Sequence, residues 1–194
     1  MEENKMNYHD PSEYIRNFQQ LLVSDKKRIG FLFGAGTSLV KNPNTNKAYV
    51  PAIGEMTKDI INAIVDESYK NAIDEIKDEI ENDNKPFTIE TLLSKLELKQ
   101  QVIGNGKIND LNKDGFTKLI EEIKDQIHSK VSVHNDIECD ILIHKTFAEW
   151  IQKADRKTAI EVFTTNYDYL FEIAFEYKNL PYYDGFAGSY KPFF

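Results

Sequence analysis

Two short polar segments carry the residue types that could bind a nucleotide and act on it. The first, residues 34–38, reads G-A-G-T-S and follows a β-prone apolar run at residues 29–33. The second, residues 164–168, reads T-T-N-Y-D and follows a similar run at residues 158–163. Glycine has no Cβ, so a phosphate can come close to the main chain at Gly34 and Gly36. Asn166 and Asp168 add an amide and a carboxylate that could hold a ribose hydroxyl or a water.

The two segments must lie close together to act on one ligand, and the pattern around them predicts how. Residues 29–33 predict a strand that is buried on both faces, because the apolar run has no polar alternation. Residues 158–166 predict a second strand, and Tyr182 and Tyr183 indicate the start of a third. In a parallel sheet, the carboxyl ends of neighbouring strands meet at one edge, where ligands usually bind. Taken alone, each motif is weak, since Asp168 could equally cap the helix that follows it.

Most of the remaining chain predicts helices from apolar residues at helical spacing. Helices are expected over residues 11–23, after Pro51, over 67–83, after an N-cap at Thr88, around 116–127, over 140–152 and over 167–177. The mostly helical block at residues 68–135 is expected to be inserted between the first strand–helix unit and the rest of the sheet. Residues 41–49 are rich in Asn and Lys and predict a mobile loop, which could be a surface connection or a lid over the first turn.

Composition limits the classes of function. The chain has 194 residues and a formal net charge of −8, which disfavours direct binding to a nucleic-acid backbone. The single cysteine, Cys139, excludes an internal disulfide and a four-cysteine zinc site, so no metal or zinc is expected. No stretch approaches the ~20 apolar residues of a membrane span, and residues 1–10 contain no apolar signal core. We therefore expect a cytoplasmic protein with no membrane contact.

In this order and context, the two segments resemble the sirtuin-like superfamily. G-A-G-T-S is similar to its nucleotide turn, and T-T-N-Y-D is similar to the form found in bacterial sirtuin-like domains. The segment I-E-T-L-L-S-K-L at residues 89–96 also resembles a helix of that branch. The resemblance spans roughly residues 28–190 and implies an α/β fold with a Rossmann-like parallel sheet that binds NAD+. It implies that the residues near the phosphates are Gly34, Ala35, Gly36, Thr37 and Ser38. Asn166 and Asp168 would lie near the nicotinamide ribose and would be catalytic, and Thr165 would also bind the cofactor.

Departures from the family pattern narrow the implied activity. Protein deacylases of the family carry a four-cysteine zinc ribbon and an acidic–aromatic–arginine turn after the first motif, and this chain has neither. The resemblance therefore implies a relative that hydrolyses NAD+ to nicotinamide and ADP-ribose, as in bacterial antiviral NAD+ depletion. A homo-oligomer, and an ATPase, helicase or phage protein as partner, are further expectations. A dehydrogenase is disfavoured because the first turn lacks the third glycine of G-x-G-x-x-G.

The family's catalytic histidine follows the second motif, and no histidine follows Asp168 in this sequence. The four histidines are His9, His128, His134 and His144. His144 falls in a predicted helix and is expected to be a packing or capping residue. The sequence leaves two alternatives. Either the chain is the N-terminal part of a longer protein whose later residues supply the histidine, or it is a non-catalytic module that senses NAD+ or a related nucleotide, or an assembly module.

Overall fold

The computed structural model describes residues 10–133 and 137–185, which form a helix-rich α/β chain. Seven α-helices, two β-strands and two 3-10 turns are described. In chain order they are α1 Pro11–Val23, β1 Gly30–Phe33, a 3-10 turn at Ala35–Ser38, α2 Ile53–Ala63, α3 Glu67–Asn82, α4 Ile89–Val102, α5 Lys113–Val131, a 3-10 turn at Cys139–Ile141, α6 Ile143–Lys153, β2 Glu161–Thr164 and α7 Leu170–Tyr177.

The two strands pair in parallel, so their carboxyl ends meet at one edge. Gly30 pairs with Glu161 at one end of the register and Phe33 with Thr164 at the other. One face of this pair is covered by α6 and α7. The ring centre of Phe31 lies 5.0 Å from that of Phe147, and the ring centre of Phe33 lies 4.5 Å from that of Phe171.

The opposite face of the sheet is open in the described part of the chain. Leu32 is 75% exposed and Phe163 is 55% exposed. The prediction that the first strand is buried on both faces is therefore wrong. Alternate side chains of a strand point to opposite faces, and only the face of Phe31 and Phe33 has a described partner.

Both strands are short, which corrects two further predictions. The second strand covers Glu161–Thr164 rather than residues 158–166, because β1 offers only four residues to pair with it. Tyr182 and Tyr183 do not begin a third strand, since residues 181–185 contain no strand. The extent of a strand depends on its partner, and propensity alone does not show it.

The main apolar core is formed by α2, α3, α4 and α5. Its buried side chains include Met56, Ile60, Ile73, Ile76, Ile80, Leu92, Leu96, Phe116, Leu119 and Ile123, joined by Leu170 from α7. These are the apolar stripes that the spacing predicts. The predicted N-cap at Thr88 is confirmed. Its Oγ1 accepts the N–H of Thr91, and the Thr91 hydroxyl accepts the N–H of Thr88 at 2.9 Å.

Two predicted helices begin later than expected. The helix predicted from Asp140 begins at Ile143, because Leu142 adopts an extended conformation after the 3-10 turn. The apolar residues of this segment also predict buried side chains, but Ile141, Phe147, Trp150 and Ile151 are only half-buried. The helix predicted from Tyr167 begins at Leu170, because residues 165–168 form the strand-end loop.

Residues 39–49 form a loop, as predicted, and this loop folds back on itself. Lys41 and Ala48 form an antiparallel bridge, and the N–H of Asn42 donates to the carbonyl of Lys47 at 2.8 Å. The Asn42 side chain also accepts the N–H of Asn44 at 2.8 Å. An Asn-centred turn of this kind shapes the loop that the sequence predicts. Its role as a lid stays a prediction.

Helix α1 begins where the sequence predicts, with the Asp10 side chain accepting the N–H of Ser12 at 2.9 Å. Its apolar stripe is exposed, and the side chains concerned are Tyr14, Ile15, Phe18, Leu21 and Val23. The Arg156 guanidinium donates to the carbonyl of Leu22 at 2.9 Å, which links the end of α1 to the segment before β2. Among the described helices, none is long and apolar enough to cross a membrane.

Candidate functional site

The two strand-end segments lie side by side at the carboxyl edge of the sheet, as parallel strands require. The 3-10 turn Ala35–Ser38 follows β1 directly, and the loop at residues 165–168 follows β2. The N–H of Thr165 donates to the carbonyl of Phe33 at 3.1 Å, so the pairing continues one step beyond the strands. The Thr37 hydroxyl donates to the carbonyl of Gly34 at 2.9 Å and closes the first turn on itself.

Asn166 connects the second loop to the first turn. Its Nδ2 donates to the carbonyl oxygen of Gly34 at 3.2 Å and to Oγ1 of Thr37 at 2.9 Å. A main-chain carbonyl can only accept a hydrogen bond, so this contact fixes which end of the amide faces the turn. Both hydrogens of the Asn166 amide group therefore donate to the first turn. The group that Asn166 can offer to a ligand is its Oδ1 acceptor.

Asp168 makes the second connection between the two segments. Only 8% of the residue is exposed, and its Oδ2 accepts the hydroxyl of Ser38. Its Oδ1 accepts the N–H of Leu170 at 3.1 Å, at the start of α7. Asp168 thus satisfies the first N–H of α7, although the N-cap residue of that helix is Tyr169. The same carboxylate also holds the 3-10 turn against the second loop, because its two oxygens serve different segments.

A cavity of about 640 Å³ opens above these turns. Its polar end is formed by Ser38, Thr165, Asn166 and Asp168, beside Ala35 and Gly36. Helices α2, α4 and α5 line the rest of it with apolar side chains and with the charged Glu90 and Lys124; the apolar ones are Ile53, Met56, Ile89, Leu93, Ile127 and Val131. Gly34 and Thr37 support the first turn from outside this lining. The helical block thus supplies a wall of the cavity, and the sheet edge supplies its floor.

The two glycines of the first turn are not required by the backbone or by internal packing. Gly34 has a φ of −112°, and Gly36 lies in the 3-10 turn without a left-handed φ. A Cβ built at either position meets no atom within 4 Å. The open space beside them is therefore available to a molecule that approaches the main chain closely.

Sequence reasoning missed Tyr167 and Glu90. The Tyr167 hydroxyl donates to Oε1 of Glu90 at 2.8 Å, and both residues line the cavity. This hydrogen bond to a carboxylate raises the pKa of the Tyr167 phenol. The only sequence signals were the aromatic residue inside the second polar segment and the acid in I-E-T-L-L-S-K-L. Their pairing depends on how α4 packs over the sheet edge.

His144 lies next to the site but outside the cavity lining. It is 3% exposed, and its ring meets that of Phe171 edge-on with the centres 4.5 Å apart. Neither ring nitrogen has a hydrogen-bond partner among the described residues. Burial lowers the pKa of His144, and the negative charge of Asp168 opposes that shift. His144 is thus a packed residue, whereas His9 and His134 fall outside the described residues.

Within residues 10–133 and 137–185, no group of three or more His, Cys, Asp or Glu side chains is arranged to hold a metal ion. Cys139 is a free, half-buried thiol. A scan against protein-family models gives no match, and no curated protein is significantly similar in sequence.

Proposed function

We propose that this chain is a sirtuin-like domain with a Rossmann-like sheet that binds NAD+ and hydrolyses it to nicotinamide and ADP-ribose. The observation that carries the proposal is the direct bonding of Asn166 and Asp168 to the G-A-G-T-S turn at the floor of one cavity. Two weak motifs, 126 or more residues apart in the chain, become one site. This edge of a parallel sheet is where nucleotides bind in open α/β folds.

The residues present fit a dinucleotide. A volume of about 640 Å³ lies within the ~300–1,000 Å³ range of small-molecule sites. The open main chain at Gly34 and Gly36 supports close approach of phosphates, with Ala35, Thr37 and Ser38 in the same turn. Thr165, Asn166 and Asp168 then lie toward the ribose. The apolar side chains of the helical lining can help to exclude water from the bond that breaks.

Loss of nicotinamide builds positive charge on the ribose. A buried carboxylate that is already oriented, such as Asp168, stabilises such charge without having to reorganise. Because Nδ2 of Asn166 donates to the first turn, its Oδ1 is the atom that can accept a hydrogen bond from a ribose hydroxyl or from the attacking water. Among the described residues that line the cavity there is no histidine, so the proposal assigns the general base to none of them.

The alternative is a module that binds NAD+ or a related nucleotide without cleaving it. One observation favours it. Asn166 and Asp168 both bond to the first turn in this structure, so they can serve to build the pocket rather than to react. The two proposals share the binding site and differ only in whether nicotinamide is released.

Full-length protein incubated with NAD+ separates them. We expect nicotinamide release by the wild type and a loss of about 100-fold or more in Asn166→Ala, because a water or hydroxyl loses its orienting group. Asn62→Ala, at an exposed position of α2, is the matched control and should keep full activity. Binding of NAD+ without release would support the alternative, and absence of binding would refute both.

A further inference from the structure

Helix α1 presents an apolar face that belongs to neither apolar cluster of the described chain. None of the 13 residues of α1 is buried. Tyr14 is 72% exposed and Phe18 is 50% exposed. The apolar side chains recur at helical spacing and form one stripe along the helix, which we call the α1 stripe. Its members are Tyr14, Ile15, Phe18, Leu21 and Leu22.

Hydrogen bonds, rather than apolar burial, hold α1 to the rest of the described chain. The guanidinium of Arg156 donates to the carbonyls of Leu22 and Lys27, which fastens the carboxyl end of α1 to the segment before β2. An isolated helix of 13 residues is marginal in water, because its nucleation is costly. Helix α1 therefore gains stability when another molecule covers its stripe, and a contiguous apolar patch of this kind marks an interaction surface.

The distribution of charge favours a second copy of this chain as that molecule. The whole chain has a formal net charge of −8, so two copies repel each other over most of their surface. Helix α1 contains one acid, Glu13, and one base, Arg16, so its own net charge is zero. Two copies can therefore approach through α1 without the repulsion that the rest of the surface imposes.

The α1 stripe is also complementary to itself. When two copies of α1 lie antiparallel and cross at Phe18, residues equally far on either side of Phe18 face each other. Tyr14 then faces Leu22 of the second copy, and Ile15 faces its Leu21. Every position of the stripe thus meets an apolar side chain, as a two-fold symmetric interface requires.

The charged residues at the two ends of α1 favour the antiparallel arrangement. Glu13 lies in the first turn, and the exposed Lys26 and Lys27 follow the last turn, where the acid Asp25 is half-buried. In the antiparallel pair, the acidic start of each helix lies beside the basic end of the other. In a parallel pair, Glu13 would face Glu13 and Arg16 would face Arg16, and such pairs of like charges repel.

We propose that α1 is the interface of a symmetric homodimer, in which the α1 stripe packs antiparallel against the α1 stripe of a second copy. No residue of α1 lines the cavity at the sheet edge, so the dimer does not depend on the proposed NAD+ function. A pair of 13-residue helices is smaller than a standard interface of about 1,600 Å². The dissociation constant is therefore expected in the micromolar range.

Sedimentation velocity of the full chain measures the dimer directly. The wild type should pass from monomer to dimer as its concentration rises from about 1 to about 100 μM. Phe18→Glu would place two carboxylates at the apolar centre of the pair, so it should raise the dissociation constant at least about 100-fold. Phe18 is exposed in the single chain, so the variant should fold normally, which circular dichroism checks. Leu98→Glu, at an exposed apolar position of α4, is the matched control and should dimerise like the wild type.

A charge reversal tests the orientation of the pair. Glu13→Lys should weaken the dimer about fivefold at low salt, because two ion-pair contacts per dimer become repulsive. Lys26→Glu and Lys27→Glu, added to the same chain, should restore the wild-type dissociation constant. Glu13 and the two lysines lie at opposite ends of α1, so this rescue requires a second copy.

Three results would overturn the inference. A wild type that stays monomeric over the whole concentration range would mean that another segment of the chain, or a different protein, covers the α1 stripe. A dimer that withstands Phe18→Glu would place the interface elsewhere on the molecule. A dimer that Glu13→Lys does not weaken, or that the lysine reversals do not rescue, would exclude the antiparallel pair.

Discussion

The helical wall and the sheet edge are held together by different forces. In the wall, α2 to α5 bury Ile, Leu and Phe side chains almost completely, among them Leu92, Leu96 and Phe116. At the sheet edge, the strands leave Leu32 and Phe163 exposed, and the two loops are joined by the side-chain bonds of Asn166 and Asp168. A region held by apolar burial does not tolerate polar substitutions, because a buried polar group without a partner is costly, whereas a region held by hydrogen bonds can present polar groups to a ligand. The helical wall therefore provides most of the apolar burial that stabilises the fold, and the sheet edge provides the polar groups that can act on a ligand.

The largest expected effect compares the same substitution in the two regions. Leu119→Ala removes a fully buried side chain from α5 and should lower the free energy of unfolding by about 3 kcal/mol. Leu32→Ala, on the open face of β1, should change it by less than about 0.5 kcal/mol. Urea denaturation of both variants measures the difference. Equal losses would show that the face of Leu32 is covered in solution, and the contrast between the regions would fail.

A smaller effect comes from His144, which lies behind the sheet edge. Burial lowers its pKa below the ordinary value of 6.5 in the folded chain. As the pH falls below 6.5, His144 takes up a proton in the unfolded chain before it does so in the folded chain. The free energy of unfolding is therefore highest above about pH 7 and decreases as the pH approaches the lower pKa of the folded chain. His144→Leu should therefore lose less stability than the wild type between pH 7 and pH 5. An identical pH profile for the two proteins, measured by urea denaturation, would contradict this.

The sequence predicted the helical wall well because its information is local. Apolar residues at helical spacing placed α2 to α5, and the N-cap at Thr88 was correct because the cap depends on residues only three apart. The strands were less predictable. Thr158 and Ile160 favour a strand, but β1 begins only at Gly30, opposite Glu161, so residues 158–160 have no strand to pair with and β2 begins at Glu161.

The candidate site likewise has a part that the sequence predicts and a part that it does not. Two motifs at the ends of parallel strands were enough to predict that Asn166 and Asp168 would lie beside the G-A-G-T-S turn. The cavity above them could not be predicted, because its other wall comes from α4 and α5, far away in the chain. The bond between Tyr167 and Glu90 belongs to that long-range packing and was missed for the same reason.

The most direct test of a shared nucleotide site is NAD+ binding by Gly36→Ala. A Cβ at Gly36 meets no atom within 4 Å and its φ is not left-handed, so the variant should be as stable as the wild type. The added methyl group would occupy the space that a bound phosphate needs. We predict at least about tenfold weaker binding, with Gly54→Ala on α2, where a Cβ is equally unobstructed, as the unaffected control. Normal NAD+ binding by a folded Gly36→Ala protein would contradict a ligand site at this turn.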